Sequence, residues 1–221
     1  RQYLLKYRGY QNVEDILITE WIFFPPDDRL QYHFRNKVNK IKFNSFEESP
    51  YWAAFPYRDR DGLITGFVQR ALNPKGYNLT NNNGKKMSGV RYWSTYETSK
   101  HDLFNLNRCR NQQTLLILEG YPDAILFPIM GLQNVVAVGQ GKLSKTHIEG
   151  LNEFGVRNVI ISFDNDPPKE DGHINGLENT IGAVKLLLTN NINPFVIDPS
   201  LLGEHKDPDE YVRANGIDAY A

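Results

Sequence analysis

The second half of this 221-residue sequence predicts an α/β fold, with a parallel β-sheet covered by helices on both faces. Short apolar runs rich in β-branched residues alternate with segments of helical periodicity from residue 114 onward. These runs lack the polar and apolar alternation of half-exposed strands, which indicates strands buried on both faces. Strands that alternate with helices are joined by right-handed crossovers and therefore run in the same direction.

The predicted elements follow one another in a regular order. TLLILEG, the first strand, is followed by a helix with Pro122 in its first turn, where the missing N–H would have no intrahelical partner. Gly155 ends the second helix. The predicted strands cover residues 114–120, 134–141, 156–166 and 193–200, and the predicted helices cover residues 121–131, 143–155, 176–191 and 207–216.

Residues 1–113 predict a smaller, basic α+β domain that precedes the sheet. Residues 52–72 contain two apolar runs joined through Asp61-Gly62, a pattern typical of a β-hairpin. The polar, glycine-containing segment 74–89 predicts a loop. The domain boundary is therefore expected between residues 113 and 114.

The net charge of −1 conceals an asymmetry between the two halves. Residues 1–113 contain 18 Lys and Arg against 11 Asp and Glu, a net charge of +7, whereas residues 114–221 contain 7 against 15, a net charge of −8. A basic half favours an anionic partner such as nucleic acid, and clustered carboxylates favour a cation site. Solvated surfaces would give the same charges, so charge alone leaves both interpretations open.

Composition limits the class of protein. Cys109 is the single cysteine, which excludes an internal disulfide and any zinc site that needs two cysteines from this chain. We expect a reducing, cytoplasmic location and no membrane contact, because the sequence has neither an apolar run of spanning length nor a charged and then apolar leader. The start at Arg1, without a methionine, indicates a piece of a longer protein.

Acidic residues follow the predicted strands at their carboxyl ends, where ligands bind in sheets of this type. Glu119 ends the first strand, Asp164 and Asp166 end the third, and Asp207 and Asp209 follow the fourth. Carboxylates that share a site repel one another, so such a cluster favours a bound cation. A ligand set made of oxygen alone predicts Mg²⁺ or Mn²⁺ rather than zinc.

Each acid also has a simpler explanation. Asp123 and Asp209 would complement the dipole at a helix N-terminus, and the acids that flank Asn165 would suit an ordinary turn. The convergence of three groups on strand ends is the observation that favours the metal site.

Arginine and aromatic residues interleave along the predicted hairpin. Arg58, Arg60 and Arg70 lie on or beside it. Arginine pairs with phosphate and aromatic rings stack on unpaired bases, so this pattern predicts binding of a single-stranded template or a nucleoside triphosphate. Pairing of these arginines with Asp59 and Asp61 is the alternative. A second basic and aromatic patch lies at residues 34–43.

Gly141-Lys142 imitates the end of a phosphate-binding loop, but the motif is incomplete. Val136 stands where a glycine is required, and Leu143 stands where a serine or threonine is required. We therefore exclude a P-loop nucleoside triphosphatase.

Five sequence blocks, in a fixed order, carry a family resemblance. FPYRDRDGLITGFVQRAL (55–72) and RYWSTYETSKHDLFNL (91–106) come first, and EGYPD, FDND and KDPDEYV follow, separated by βα units. Together these blocks resemble the Toprim-containing RNA polymerase domain of bacterial-type DNA primases, whether replicative, phage or mobile-element.

The resemblance implies a Toprim domain at residues 114–221 and metal-dependent, DNA-templated synthesis of short RNA primers by nucleotidyl transfer. The catalytic residues that it implies are Glu119, Asp123, Asp164 and Asp166, and the ligands of two or more Mg²⁺ or Mn²⁺ ions are Glu119, Asp164, Asp166, Asp207 and Asp209. The predicted nucleic-acid or nucleotide contacts are Arg58, Arg60, Arg70, Arg91 and Lys100. The implied partners are a single-stranded DNA template, ribonucleoside triphosphates and, through regions outside this sequence, a replicative helicase.

The sequence departs from the family pattern at two places. Residues 167–175 form an insertion before Gly176, and Ser99 stands where the family usually has a lysine, with Lys100 next to it. Two other functions stay open. One is a different Toprim enzyme that cleaves nucleic acid, either a nuclease or a topoisomerase-like enzyme, and the other is a non-catalytic module that binds single-stranded DNA.

Overall fold

A computed structural model describes residues 51–71, 75–80, 86–90, 92–94, 102–139, 142–168, 172 and 174–220. These residues belong to two compact units, of which the first contains the strands between residues 51 and 94. The second unit contains the turn at Asp59–Gly62 and the residues described from 102 onward. Arg91, Lys100 and the patch at residues 34–43 lie outside the described residues.

The described part of the first unit contains a three-stranded antiparallel sheet. Its strands, in the order β1-β2-β5, are β1 (Tyr51–Arg58), β2 (Ile64–Ala71) and β5 (Tyr92–Ser94). The turn between β1 and β2 is closed by the N–H of Gly62, which donates to the carbonyl of Asp59 at 3.0 Å. Gly62 has a φ of 86°, which a residue with a side chain rarely adopts. The hairpin predicted through Asp61-Gly62 is therefore confirmed.

The loop predicted at residues 74–89 is wrong, because this segment contains two strands. β3 (Tyr77–Thr80) pairs with β4 (Lys86–Val90) in an antiparallel ribbon, with Leu79 opposite Met87. Asn78 and Lys86 are exposed. A two-stranded ribbon in contact with water needs no continuous apolar face, so its polar sequence looks like that of a loop.

The second unit is built on a four-stranded parallel sheet in the order β7-β6-β8-β9. Its elements are β6 (Thr114–Leu118), α1 (Asp123–Ile129), β7 (Val135–Ala137), α2 (Lys145–Glu153), β8 (Asn158–Ser162), α3 (Asn175–Thr189), β9 (Asn193–Val196) and α4 (Pro208–Asn215). This confirms the predicted fold class and the order of its strands and helices. The strands are shorter than predicted, because the chain leaves the ladder before each group of acids. None of the described helices is long and apolar enough to cross a membrane.

The strand order places the helices on opposite faces of the sheet. The chain moves from β6 to β7 in one direction and from β7 to β8 in the other, so right-handed crossovers put α1 and α2 on opposite sides. The continuing step from β8 to β9 puts α3 on the same side as α2. A buried apolar cluster joins these two helices to β6 and β8, and it includes Leu115, Ile117, Val159 and Ile161 of the strands with Ile148, Leu151, Ala183 and Leu187 of the helices.

The segment ahead of β6 packs within the second unit. Phe104 exchanges two backbone hydrogen bonds with Ala137 of β7, at 2.9 and 3.1 Å. Residues 102–113 therefore belong to the same compact unit as the parallel sheet. The boundary at residue 113 stays a prediction for the Toprim domain itself.

Arg60 ties the hairpin turn to the rest of the second unit. Its Nε and Nη2 donate to the two carboxylate oxygens of Asp102 at 2.9 and 3.0 Å, and its Nη1 contacts Glu153. These contacts, the hydrogen bond to Asp102 first among them, raise the pKa of Arg60 further above its ordinary value. In this geometry the guanidinium group is occupied by protein carboxylates, which is a structural role.

Replacement of Arg60 by alanine should lower the free energy of unfolding by about 1–2 kcal/mol, because it removes a charge-assisted pair of hydrogen bonds from a half-buried site. The thermal midpoint of Arg60→Ala measures this loss. Asp61→Asn is the matched control, since its carboxylate meets Arg110 on an exposed surface and should change stability by less than about 0.5 kcal/mol. Equal small effects in the two variants would contradict the structural role.

Candidate metal centre

The acidic residues meet where the direction of chain connection reverses. The chain leaves β6 towards β7 on one side and leaves β8 towards β9 on the other, so the carboxyl ends of the adjacent strands β6 and β8 flank a crevice. Such a reversal is the usual ligand-binding position in open α/β sheets. Glu119 follows β6 directly, and Asp164 and Asp166 follow β8 after Phe163.

Glu119 has a carboxylate oxygen to which none of the described residues donates a hydrogen bond. Its Oε1 is buried and has no hydrogen-bond partner among the residues that the structure describes. Burial first, and then the charges of Asp164 and Asp166, raise the pKa of Glu119 to about 7. A hydrogen bond from the Asp164 backbone opposes the shift only in part. A buried carboxylate oxygen without a partner, next to two other carboxylates, is the arrangement that a cation would complete.

Asp164 is perturbed in the same direction. Burial first, and then charge repulsion by Asp207, Asp166 and Glu210, raise the pKa of Asp164 to about 6. Lys206 opposes it, with its Nζ 3.8 Å from Asp164 Oδ2 and 3.9 Å from Asp166 Oδ1. The acids after β8 thus interact electrostatically with the acid after β6 and with the loop before α4.

A second group of acids lies where the first turns of α1 and α4 meet. Ligand oxygens of Asp123, Asp207 and Asp209 all lie within 4.8 Å of one another. The N–H of Asp209 donates to Asp123 Oδ1 at 2.9 Å. Asp209 Oδ2 accepts from Nε of Arg213 at 3.0 Å, and Nη2 of Arg213 lies 2.9 Å from the same oxygen in an ion pair. Asp207 caps α4, accepting from the Glu210 N–H at 2.8 Å. The hydrogen bond from the Asp209 N–H to Asp123 joins α4 to α1.

Close approaches explain the glycines around the first acids. A Cβ on Gly120 would lie 2.2 Å from Asp123 Oδ2, so only glycine leaves room for that carboxylate. Gly139, with a φ of 74°, faces the ring of Tyr121, which a Cβ would meet at 2.2 Å. Tyr121 also packs edge-on against Phe104, with ring centroids 5.2 Å apart. The turn after β6 is therefore fixed on both sides.

The residues of the first group fit a hard divalent cation. Glu119, Asp164 and Asp166 supply only oxygen ligands, and no described residue donates a hydrogen bond to the buried Oε1 of Glu119. Mg²⁺ and Mn²⁺ prefer such ligands. In the second group, Arg213 and the Asp209 N–H already bind oxygens of Asp209 and Asp123. The second group still brings three ligand oxygens within 4.8 Å of one another, so both groups supply oxygen ligands for a cation.

The predicted arginines have different surroundings. Arg70 on β2 lies over the ring of Tyr92, 4.7 Å from its centroid, which is a cation–π contact. Arg58 ends β1 and is half-buried. Arg60 is held by Asp102 and Glu153, as described above. Their contact with nucleic acid stays a prediction, as do the contacts of Arg91 and Lys100, which lie outside the described residues.

Sequence reasoning missed the cations that accompany these acids. Arg213 stands four residues after Asp209 on a predicted helix, and that spacing places an ion pair on one helical face. Lys206 adjoins Asp207 in sequence, but only the fold brings its ammonium group to Asp164 and Asp166. No local pattern indicates this second contact.

The raised pKa values predict how stability depends on pH in a chelating buffer. Glu119 and Asp164 have ordinary values of 4.5 and 3.8 and folded values of about 7 and about 6. Between these limits the folded chain holds protons that the unfolded chain has released, so the free energy of unfolding should fall as pH rises from 5 to 8. Urea unfolding at both pH values measures this slope. In Glu119→Gln/Asp164→Asn the slope should be flatter, and an unchanged slope would contradict the assignment.

The sequence matches a known family of domains. Residues 116–212 match the family described as Toprim-like. The DNA primase of Staphylococcus epidermidis is 29% identical over 187 residues, which cover 81% of this chain. The match spans 27% of that primase, so the chain corresponds to about a quarter of the curated relative.

Two solved structures share the fold. The RNA polymerase domain of the Mycobacterium tuberculosis primase superposes with a TM-score of 0.66 at 18% identity, covering 99% of this chain and 72% of that one. A primase catalytic domain bound to single-stranded DNA superposes with a TM-score of 0.61 at 20% identity, covering 98% of this chain and 68% of that one.

Proposed function

The chain carries a Toprim-like domain and is related to DNA primases, and from this premise we propose that it is the catalytic core of a primase. Such a core joins ribonucleotides on a DNA template by metal-dependent nucleotidyl transfer. The observation that carries the proposal is the acid cluster between β6 and β8, in which Glu119 Oε1 is buried without a donor in the described part of the chain.

The residues divide into groups with different roles. Glu119, Asp164 and Asp166, with Asp207 beside them, would hold one or more Mg²⁺ or Mn²⁺ ions, and two ions suit the number of carboxylates. Bound ions would neutralise the triphosphate and lower the pKa of the attacking 3′-hydroxyl group. Asp123 and Asp209 would position the other acids, because their contacts tie α1 to α4. Asp209 stays a candidate ligand beside the ion pair that it makes with Arg213.

Glu119 would also handle protons. Its pKa of about 7 lies in the range where a carboxyl group both takes up and releases a proton near neutral pH. A cation beside it would favour the ionised form, so its share of ligand and acid-base work depends on how closely the ion approaches.

The partners belong to the same proposal. A single-stranded DNA template and ribonucleoside triphosphates are the substrates of such a core, and the related catalytic domain bound to single-stranded DNA supports the template. Arg58 and Arg70 are the described candidates for contact with either. A replicative helicase would bind regions outside this sequence, and the cytoplasm is the expected location.

Product analysis distinguishes this function from the two alternatives. We expect the chain, given Mn²⁺, ribonucleotides and a labelled RNA primer annealed to single-stranded DNA, to lengthen the primer. Shortened DNA strands without extension would show a nuclease or a topoisomerase-like enzyme instead. Binding of DNA with neither product would show a non-catalytic module. The annealed primer makes the result independent of any requirement for initiation.

A further inference from the structure

We propose that Lys206 binds the triphosphate of the incoming nucleotide from the rim of the acid cluster. This inference rests on the proposed function, since it assigns a phosphate contact within the same site. The geometry that carries it is the position of Lys206 Nζ, 3.8 Å from Asp164 Oδ2 and 3.9 Å from Asp166 Oδ1.

The backbone of Lys206 is fixed beside these acids. Its carbonyl accepts from the Asn165 N–H at 2.8 Å, and its own N–H donates to Glu210 Oε2 at 3.0 Å. The first contact ties it to the loop that carries Asp164 and Asp166, and the second ties it to the first turn of α4. The root of the side chain therefore stays at the site wherever its tip moves.

The tip of the side chain is held loosely. The side chain of Lys206 is 58% exposed, and its two ion-pair distances exceed the 2.7–2.9 Å of a charge-assisted hydrogen bond. Arg213 makes a contrasting contact, since its Nε donates to Asp209 Oδ2 at 3.0 Å and its Nη2 lies 2.9 Å from the same oxygen, and Asp209 is 1% exposed. Arg213 is thus a fixed structural partner, whereas Lys206 can exchange one anion for another.

Charge gives this exchange a direction. A divalent cation bound by Asp164 and Asp166 repels the ammonium group and offers the same carboxylates a stronger partner. A triphosphate that binds together with the cation supplies an anion of high charge density for the ammonium group of Lys206. Lysine suits this role because its flexible stem places a compact charge on phosphate without a fixed geometry.

Two binding measurements on Lys206→Ala test the proposal. Calorimetric titration with Mn²⁺ alone should show binding tightened about threefold or more, because a competing cation is gone. ATP binding at saturating Mn²⁺ should weaken about tenfold, because a phosphate contact is lost. Inorganic triphosphate should compete with ATP in the wild type and about tenfold less well in the variant.

Two further variants serve as controls. Lys206→Arg keeps a phosphate-binding charge and should bind ATP within about threefold of the wild type. Lys185→Ala removes an exposed lysine of α3. Lys185 lies nine residues, or about 14 Å of helix, beyond Gly176 in the first turn of α3, so this change should affect neither measurement.

The outcomes separate this inference from the proposed function. If the wild type binds Mn²⁺ and ATP but Lys206→Ala binds both equally well, the role of Lys206 is wrong and the proposed function stands. If ATP binding weakens while Mn²⁺ binding is unchanged, Lys206 contacts the triphosphate as proposed, but its ammonium group does not compete with Mn²⁺ for the carboxylates. A wild type that binds neither probe overturns the proposed function and this inference together.

Discussion

Replacement of Asp164 and Asp166 together by asparagine is expected to abolish RNA synthesis and the stabilisation of the fold by Mn²⁺. The double variant removes the two carboxylates, Asp164 and Asp166, whose charges act on Glu119. Asparagine keeps the size of each side chain but carries no charge to hold a divalent cation. In the wild type, Mn²⁺ at 100 times its dissociation constant should stabilise the fold by about 2.7 kcal/mol. For a chain of this length that is a rise of about 5–10 °C in thermal midpoint.

The thermal midpoint of the double variant should not respond to Mn²⁺, and without metal it should equal or exceed that of the wild type, since repulsion between carboxylates is relieved. Asp218→Asn is the matched control, because it removes a charge from an exposed position of the same unit. It should respond to Mn²⁺ as the wild type does. A double variant with an undiminished response would place the cation elsewhere.

Glu119→Gln is expected to reduce primer extension by about 10² to 10⁴, the range found for removal of a general acid or base. The variant also shows which role Glu119 has. Glutamine keeps an oxygen that can bind a cation weakly, but it cannot take up a proton at neutral pH. If proton transfer dominates, Mn²⁺ binding by calorimetry should stay near the wild-type value, and extra metal should not restore activity.

A dominant ligand role gives a different pattern. Mn²⁺ affinity would then fall as it does in the aspartate variant, and high Mn²⁺ would restore much of the activity. We expect the ligand role to be larger, because Glu119 lies among other carboxylates and its unpaired oxygen is buried with them. Wild-type activity in Glu119→Gln would contradict both roles.

The sequence predicts the position of the acids because one rule covers them. Carboxyl ends of parallel strands meet at one edge, so Glu119 and the FDND acids come together once the βα alternation is recognised. The same rule gives no side-chain contacts. It does not indicate that Arg213 and the Asp209 N–H bind part of the group at α4. The acids therefore form two groups, whereas the sequence pattern predicts a single cluster.

Contacts between distant segments are the part that sequence does not give. Asp102 lies 42 residues from Arg60 and takes the guanidinium group that the pattern of the hairpin assigned to nucleic acid. Lys206 reaches Asp164 only because α4 returns to the end of β8. In β3, Tyr77 and Leu79 alternate with Asn78 and Thr80, but a run of four residues is too short to reveal a strand. The first two contacts join residues that are far apart in sequence, and the third element is a short ribbon in contact with water.

The most direct test of the account is template-directed incorporation measured across a Mn²⁺ titration, with the wild type and Asp164→Asn/Asp166→Asn side by side. An RNA primer annealed to single-stranded DNA is extended with one ribonucleotide at a time. We expect the wild type to add only the ribonucleotide complementary to the template and its incorporation to follow Mn²⁺ binding. The double variant should add none. Incorporation by the double variant, or no incorporation by a wild type that binds Mn²⁺ and DNA, would contradict it.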